Sequence, residues 1–78
     1  MIPAAAFAIR SLNPRELEVI RFVAMDEPNK SIAAKLGLSP KTVEHYRASA
    51  MQKLGLSSGI RVTHFALHYG LVANIYKE

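Results

Sequence analysis

Apolar residues recur at three- and four-residue spacing in four segments of this chain, each closed by turn-forming residues. No stretch alternates apolar and polar residues for long enough to build a sheet. The pattern predicts an all-α fold, a compact four-helix bundle with helices over about residues 13–26, 29–36, 40–54 and 58–69. The first helix has the clearest start. Asn13 can cap it, Pro14 suits its first position, Glu16 can reach back to complete a capping box, and Leu12 and Leu17 can pack across the boundary. Leu17, Ile20, Val23 and Ala24 then form a buried stripe that ends near Asp26, Glu27 and Pro28.

Asn29 offers a cap for the second helix, whose face of Ile32, Ala33 and Leu36 ends at Gly37, the residue type best suited to a left-handed C-cap. Only Gly37, Leu38 and Ser39 separate it from the third helix, where Ser39 caps and Pro40 takes the first position. Two helices joined so tightly predict a helix-turn-helix. The third helix stops at Gly55, Ser57 and Ser58 can cap the fourth, and Gly70 ends it. Residues 1–10 and 74–78 read as tails or linker on either side of a domain over 11–73.

At about 100° per residue, Val43, Tyr46, Ala50 and Leu54 share one arc of the third helix, the core face. Tyr46 reads as a core ring with its hydroxyl at the rim. Lys41, Glu44, His45, Ala48 and Gln52 lie on roughly the opposite side. That second arc is slender and rich in groups able to read base edges, and its small Ala48 suits a helix lying deep in a major groove. Thr42, Arg47, Ser49 and Lys53 flank the two arcs. These side chains, with Lys30 and the backbone amides at the start of the second helix, can touch phosphates.

Charge supports the same segment. The chain has ten Lys and Arg against six Asp and Glu, a net charge of +4 over 78 residues. Residues 1–28 carry a net −1 and residues 62–78 cancel, so residues 29–61, with six basic groups and only Glu44 opposed, hold the excess. A phosphate-binding footprint requires such concentration, although a solvated surface can also carry it. With 50% hydrophobic residues and no cysteine, this length suits one small domain whose core relies on packing alone. The absence of cysteine suits the cytoplasm. The longest uncharged stretch, residues 1–9, is too short for a bilayer span and lacks a signal-peptide pattern, so no membrane association is expected. No Gly-rich phosphate loop, cysteine nucleophile or recognisable triad is present, so neither enzyme activity nor a cofactor is expected. His64 and His68 stand four apart but have no third ligand nearby in sequence, and no metal site is expected.

Residues 12–72 resemble the LuxR/FixJ-type (GerE-like) helix-turn-helix domain of bacterial transcription regulators and response regulators. The carriers are PRELEV at the first helix, NKSIAAKLGLSPKTVEHYR across the second and third, then KLGL, and ALHYGLV closing the fourth. The resemblance implies a cytoplasmic, nucleoid-associated DNA-binding domain that inserts its third helix in the major groove and pairs through its fourth. Carried over by position, it implies base reading by Glu44, His45 and Ala48, the group that helical spacing also selects. It implies phosphate contacts at Lys30, Lys41, Thr42, Arg47 and Lys53. Many members have a basic residue where this chain has Glu44, a histidine at Tyr46 and a branched apolar residue at Ala50. A carboxylate at Glu44 can accept from a cytosine amino group, or orient His45 or Arg47.

Both sides of the fourth helix have apolar content. Val62, Phe65, Ala66 and Tyr69 face one way, and Ile60, Thr63, His64 and Leu67 the other. The second stripe is read as a homodimer interface, with contact to another domain or burial within the monomer as alternatives. The expected partners are double-stranded DNA, a second copy of the chain, and RNA polymerase or a receiver or ligand-sensing domain in a longer chain. The rival function is an interaction module that keeps the helices but binds a receiver domain or polymerase through the fourth.

Overall fold

The structure is a computed structural model that describes residues 4–72. It contains five α-helices: α1 (Ala4–Arg10), α2 (Pro14–Ala24), α3 (Asn29–Leu36), α4 (Pro40–Leu54) and α5 (Gly59–His68), with no strand among the described residues. The all-α reading holds, and α2 to α5 are the four expected helices: α3 and α4 keep the expected bounds, and the ends of α2 and α5 shift by one or two residues. The additional element is α1, in a segment read as tail or linker. Four alanines in seven residues favour helix strongly, but they form no amphipathic stripe, and none of the seven is buried. So short a helix is marginal alone, and here it lies against α4. Residues 1–3 of the expected N-terminal tail, and all of the expected C-terminal tail at 74–78, lie outside the described residues.

The start of α2 forms as its sequence indicates. Asn13 Oδ1 accepts from the Glu16 amide at 2.8 Å, while Glu16 Oε1 accepts from the Asn13 amide at 2.8 Å. Such a reciprocal box satisfies two donors that a helix start otherwise leaves orphaned. The helix ends two residues before the expected 26, because Met25 caps it and Asp26 turns to φ +62°. Asn29 departs from its expected role: Pro28 occupies the N-cap of α3 with no side-chain cap, and Asn29 is the first helical residue.

Gly37 makes the tight turn between α3 and α4. It sits at φ +67°, and the next amide, of Leu38, donates to the Ala33 carbonyl at 2.9 Å, a Schellman-type closure that returns the chain to the core. Gly55, at φ +69°, closes α4 in the same way, with the Leu56 amide on the Met51 carbonyl. Ser39 and Ser58 cap the following helices by accepting from the Thr42 and Arg61 amides. A Cβ at Gly37 would meet nothing within 4 Å, so replacement is opposed by backbone conformation and not by crowding. Gly37→Ala should therefore cost about 1–2 kcal/mol. Chemical denaturation should show a lowered midpoint with an unchanged slope; a midpoint equal to that of the parent would contradict the strained-turn account.

The core lies where α2 is covered by α4 and α5, while α3 closes against α4. Its buried apolar side chains are Val19, Ile20, Val23 and Ala24 from α2, Ile32 and Ala33 from α3, Val43 and Ala50 from α4, and Val62 and Ala66 from α5. Tyr46, Leu54, Leu36 and Leu38 pack at its edge, so Tyr46 has the half-buried place expected of it. The core face of α4 is therefore directed inward by Val43 and Ala50, both fully buried, which leaves the opposite arc exposed.

Candidate nucleic-acid interface

Lys41, Glu44, His45 and Ala48 are all exposed and together line a shallow depression of about 230 Å³ on the outer side of α4. Their spacing of three and four residues places them on one stripe, and the packed arc behind holds that stripe away from the core. Thr42 stands beside it, half-buried, with its hydroxyl 2.9 Å from that of Ser39. Lys30 is exposed in the first turn of α3, near the beginning of the helix-turn-helix. Neither Lys30 nor Lys41 makes an ion pair among the described residues.

Three other cations of the basic segment, Lys35, Arg47 and Lys53, are engaged internally, whereas Arg61 is exposed and makes no ion pair among the described residues. Lys53 Nζ donates to Glu16 Oε1 at 2.8 Å and to the Ser11 carbonyl at 3.2 Å. Arg47 is half-buried and donates through one guanidinium nitrogen to Asn29 Oδ1 at 3.2 Å, tying α4 to the start of α3. Asn29 thus serves as the acceptor for Arg47 instead of as a cap. Lys35 pairs with Glu27 and lies 5.4 Å from the centre of the Phe22 ring. Hydrogen bonds from Lys35 and Ser31 hold the Glu27 carboxyl below its ordinary range. The six cations counted along residues 29–61 are therefore not equivalent: Lys30, Lys41 and Arg61 are exposed and unpaired among the described residues, and of these Lys41 lies in the exposed stripe itself.

Glu16 is the feature whose tertiary role the sequence did not reveal. It is a buried charged residue, 2% exposed, and its second carboxylate oxygen accepts from the Ser49 hydroxyl on the back of α4. Burial alone would raise its pKa, but hydrogen bonds from Lys53, Ser49 and the Asn13 amide, together with the Lys53 charge, lower it to about 2. One carboxylate thus joins the capping box of α2 to two side chains of α4. The capping pattern identified Glu16, but only folding brings Ser49 and Lys53 to it.

On α5, Ile60 is 67% and Leu67 39% exposed, and His64 is exposed between them. Thr63, expected in the same stripe, is half-buried, and its hydroxyl donates to the Ala24 carbonyl at 3.3 Å and the Gly59 carbonyl at 3.1 Å. It is a tie to the end of α2 rather than a free contact. Beside it runs an open groove of about 1000 Å³, lined by Val23, Met25, Ile60, Leu67 and Leu71, with Arg47 at one side. Tyr69, expected on the same side of the helix as the buried Val62 and Ala66, is 43% exposed, with its ring tilted against Phe65 and edge-on to His68 at the end of α5. No cluster of three or more metal-ligating side chains occurs among the described residues, and no helix there is long and apolar enough to cross a membrane.

A short helix, a three-residue turn and a longer helix with one buried and one exposed polar face define a helix-turn-helix domain. Residues 10–66 match the family described as GerE, bacterial regulatory proteins, luxR family. The chain belongs to this family of non-enzymatic, DNA-binding transcription regulators. It is similar to the response regulator UvrY of Escherichia coli, with 36% identity over 78% of this chain and 28% of UvrY. It is 45% identical to the transcriptional regulatory protein UhpA of Salmonella typhimurium over 68% of this chain and 27% of that protein. With the oxygen regulatory protein NreC of Staphylococcus carnosus it shares 45% identity over 74% of this chain and 27% of NreC. The chain thus spans little more than a quarter of the length of these relatives.

Proposed function

We propose that this chain regulates bacterial transcription by binding double-stranded DNA sequence-specifically, with α4 in the major groove. The observation that carries this reading is the exposed stripe of Lys41, Glu44, His45 and Ala48, set opposite a fully buried Val43 and Ala50. Glu44 and His45 supply base selectivity, and Ala48 keeps the stripe low enough for close approach. Lys30, Lys41 and Thr42 are the principal phosphate contacts. Arg47 and Lys53 contribute chiefly by anchoring α4, since they already donate to Asn29 and to Glu16 and Ser11. Two copies pair through Ile60, His64 and Leu67 of α5 and read an inverted repeat, with half-sites about one helical turn apart. The setting is the cytoplasm, in association with the nucleoid.

The groove beside α5 favours a protein contact in addition: a receiver domain or RNA polymerase could cover its apolar lining without occupying the α4 stripe. Selection of bound duplexes from a random library, at low and near-physiological salt, separates the readings. DNA binding predicts salt-sensitive retention and an enriched inverted repeat. Retention with a single enriched half-site would remove the paired arrangement, and no retention at either salt would leave the protein-interaction role alone.

A further inference from the structure

The identity of one base read by α4 follows from the side chain on its stripe that only accepts hydrogen bonds. A carboxylate only accepts, so once docking displaces the water around the exposed Glu44 it needs a donor from a neighbour or from the bound surface. Lys41, His45 and Arg47 are its nearest cationic or donor-bearing neighbours on the helix. Lys41 forms no ion pair with it, Arg47 donates to Asn29 instead, and no hydrogen bond joins Glu44 to His45 among the described residues. The carboxylate is therefore presented outward, in the same depression as Lys41, His45 and Ala48. Its engagement with the bound surface is favoured over the alternative that it orients His45 or Arg47.

In the major groove, donors are found only at the amino groups of cytosine and adenine; guanine N7 and O6 and thymine O4 are acceptors and repel a carboxylate. The two amino groups differ in their surroundings. Adenine N6 lies between its own N7 and thymine O4, both acceptors, whereas cytosine N4 has guanine O6 on one side and a C–H edge on the other. The cytosine site therefore leaves room for the second carboxylate oxygen without facing another lone pair. Resting on the DNA-binding reading above, we propose that Glu44 is a specificity-determining residue that accepts a hydrogen bond from the N4 amino group of a cytosine in each half-site.

Three chains test this by selection from a random duplex library: the parent, Glu44→Gln and Glu44→Ala. The parent should enrich a motif with a fixed C·G pair, and changing that pair should weaken binding by about tenfold or more. Glutamine can accept from adenine N6 while donating to N7, so Glu44→Gln should move that position to A·T. Glu44→Ala should leave the position open while the rest of the motif persists. A duplex whose cytosine lacks the N4 amino group should lose the parent's preference, a measurement independent of how either variant folds. If the parent enriches a motif but all three chains prefer the same base at every position, the assignment to Glu44 is overturned while the groove role of α4 survives. If the parent retains no duplex, both readings fall together.

Discussion

Glu16→Ala should lower the stability of the domain by roughly 3 kcal/mol, since it removes half of a capping box and the acceptor for Ser49 and Lys53 together. In a domain of this size the loss corresponds to a fall of about 15 °C in Tm. The effect has a defined pH dependence. The folded carboxyl is held at about 2 against an ordinary 4.5, so its contribution is fully present above 4.5 and is lost as the pH falls through 4.5 toward 2. The parent and the variant should therefore unfold far apart at neutral pH and converge on acidification. Thermal melts of both chains at neutral pH and at about pH 2.5 decide it. A difference in Tm that stays constant with pH would show that the carboxylate's charge is not what stabilises the junction.

The second large effect concerns binding. Lys30→Ala combined with Lys41→Ala should weaken binding at low salt by one to two orders of magnitude, about tenfold per lost phosphate contact, and make the plot of log affinity against log salt shallower by about 2. The motif recovered by selection should change little, because phosphate contacts position the helix without reading bases. Lys53→Ala should behave differently: its ammonium group already faces Glu16 and Ser11, so its loss should reduce stability more than the salt slope. An equal change of slope in the Lys53 and Lys41 variants would show that Lys53 reaches the duplex despite its internal partners. Unchanged slope in the double variant would remove Lys30 and Lys41 from the phosphate contacts.

The helical architecture was legible because its signals are local. Asn13, Pro14 and Glu16 announce α2, Ser39 and Pro40 announce α4, and Gly37 and Gly55 end α3 and α4, all through interactions within a few residues of one another. Periodicity likewise separated Val43 and Ala50 from Lys41, Glu44, His45 and Ala48, because the angular step of a helix is independent of what it packs against. The family is carried by the same residues. Alone, α1 lacked such a pattern: an alanine-rich run has helix propensity but no stripe to show which side will be covered.

What sequence spacing could not supply was the partner of each charged or polar side chain. Lys53 and Lys41 look alike along α4, yet one pairs with a buried carboxylate from α2 and the other makes no ion pair among the described residues. Asn29 looked like a cap and became the acceptor for Arg47; Thr63 looked like part of an apolar stripe and turned its hydroxyl to the end of α2. These outcomes depend on residues 18 to 39 positions apart, brought together only when α2, α3, α4 and α5 pack. The chain by itself thus specifies the helices and the face that α4 presents, since both arise from short-range geometry. The tertiary structure decides which of its charges remain available to a ligand, because burial and hydrogen bonding across helices commit the others first.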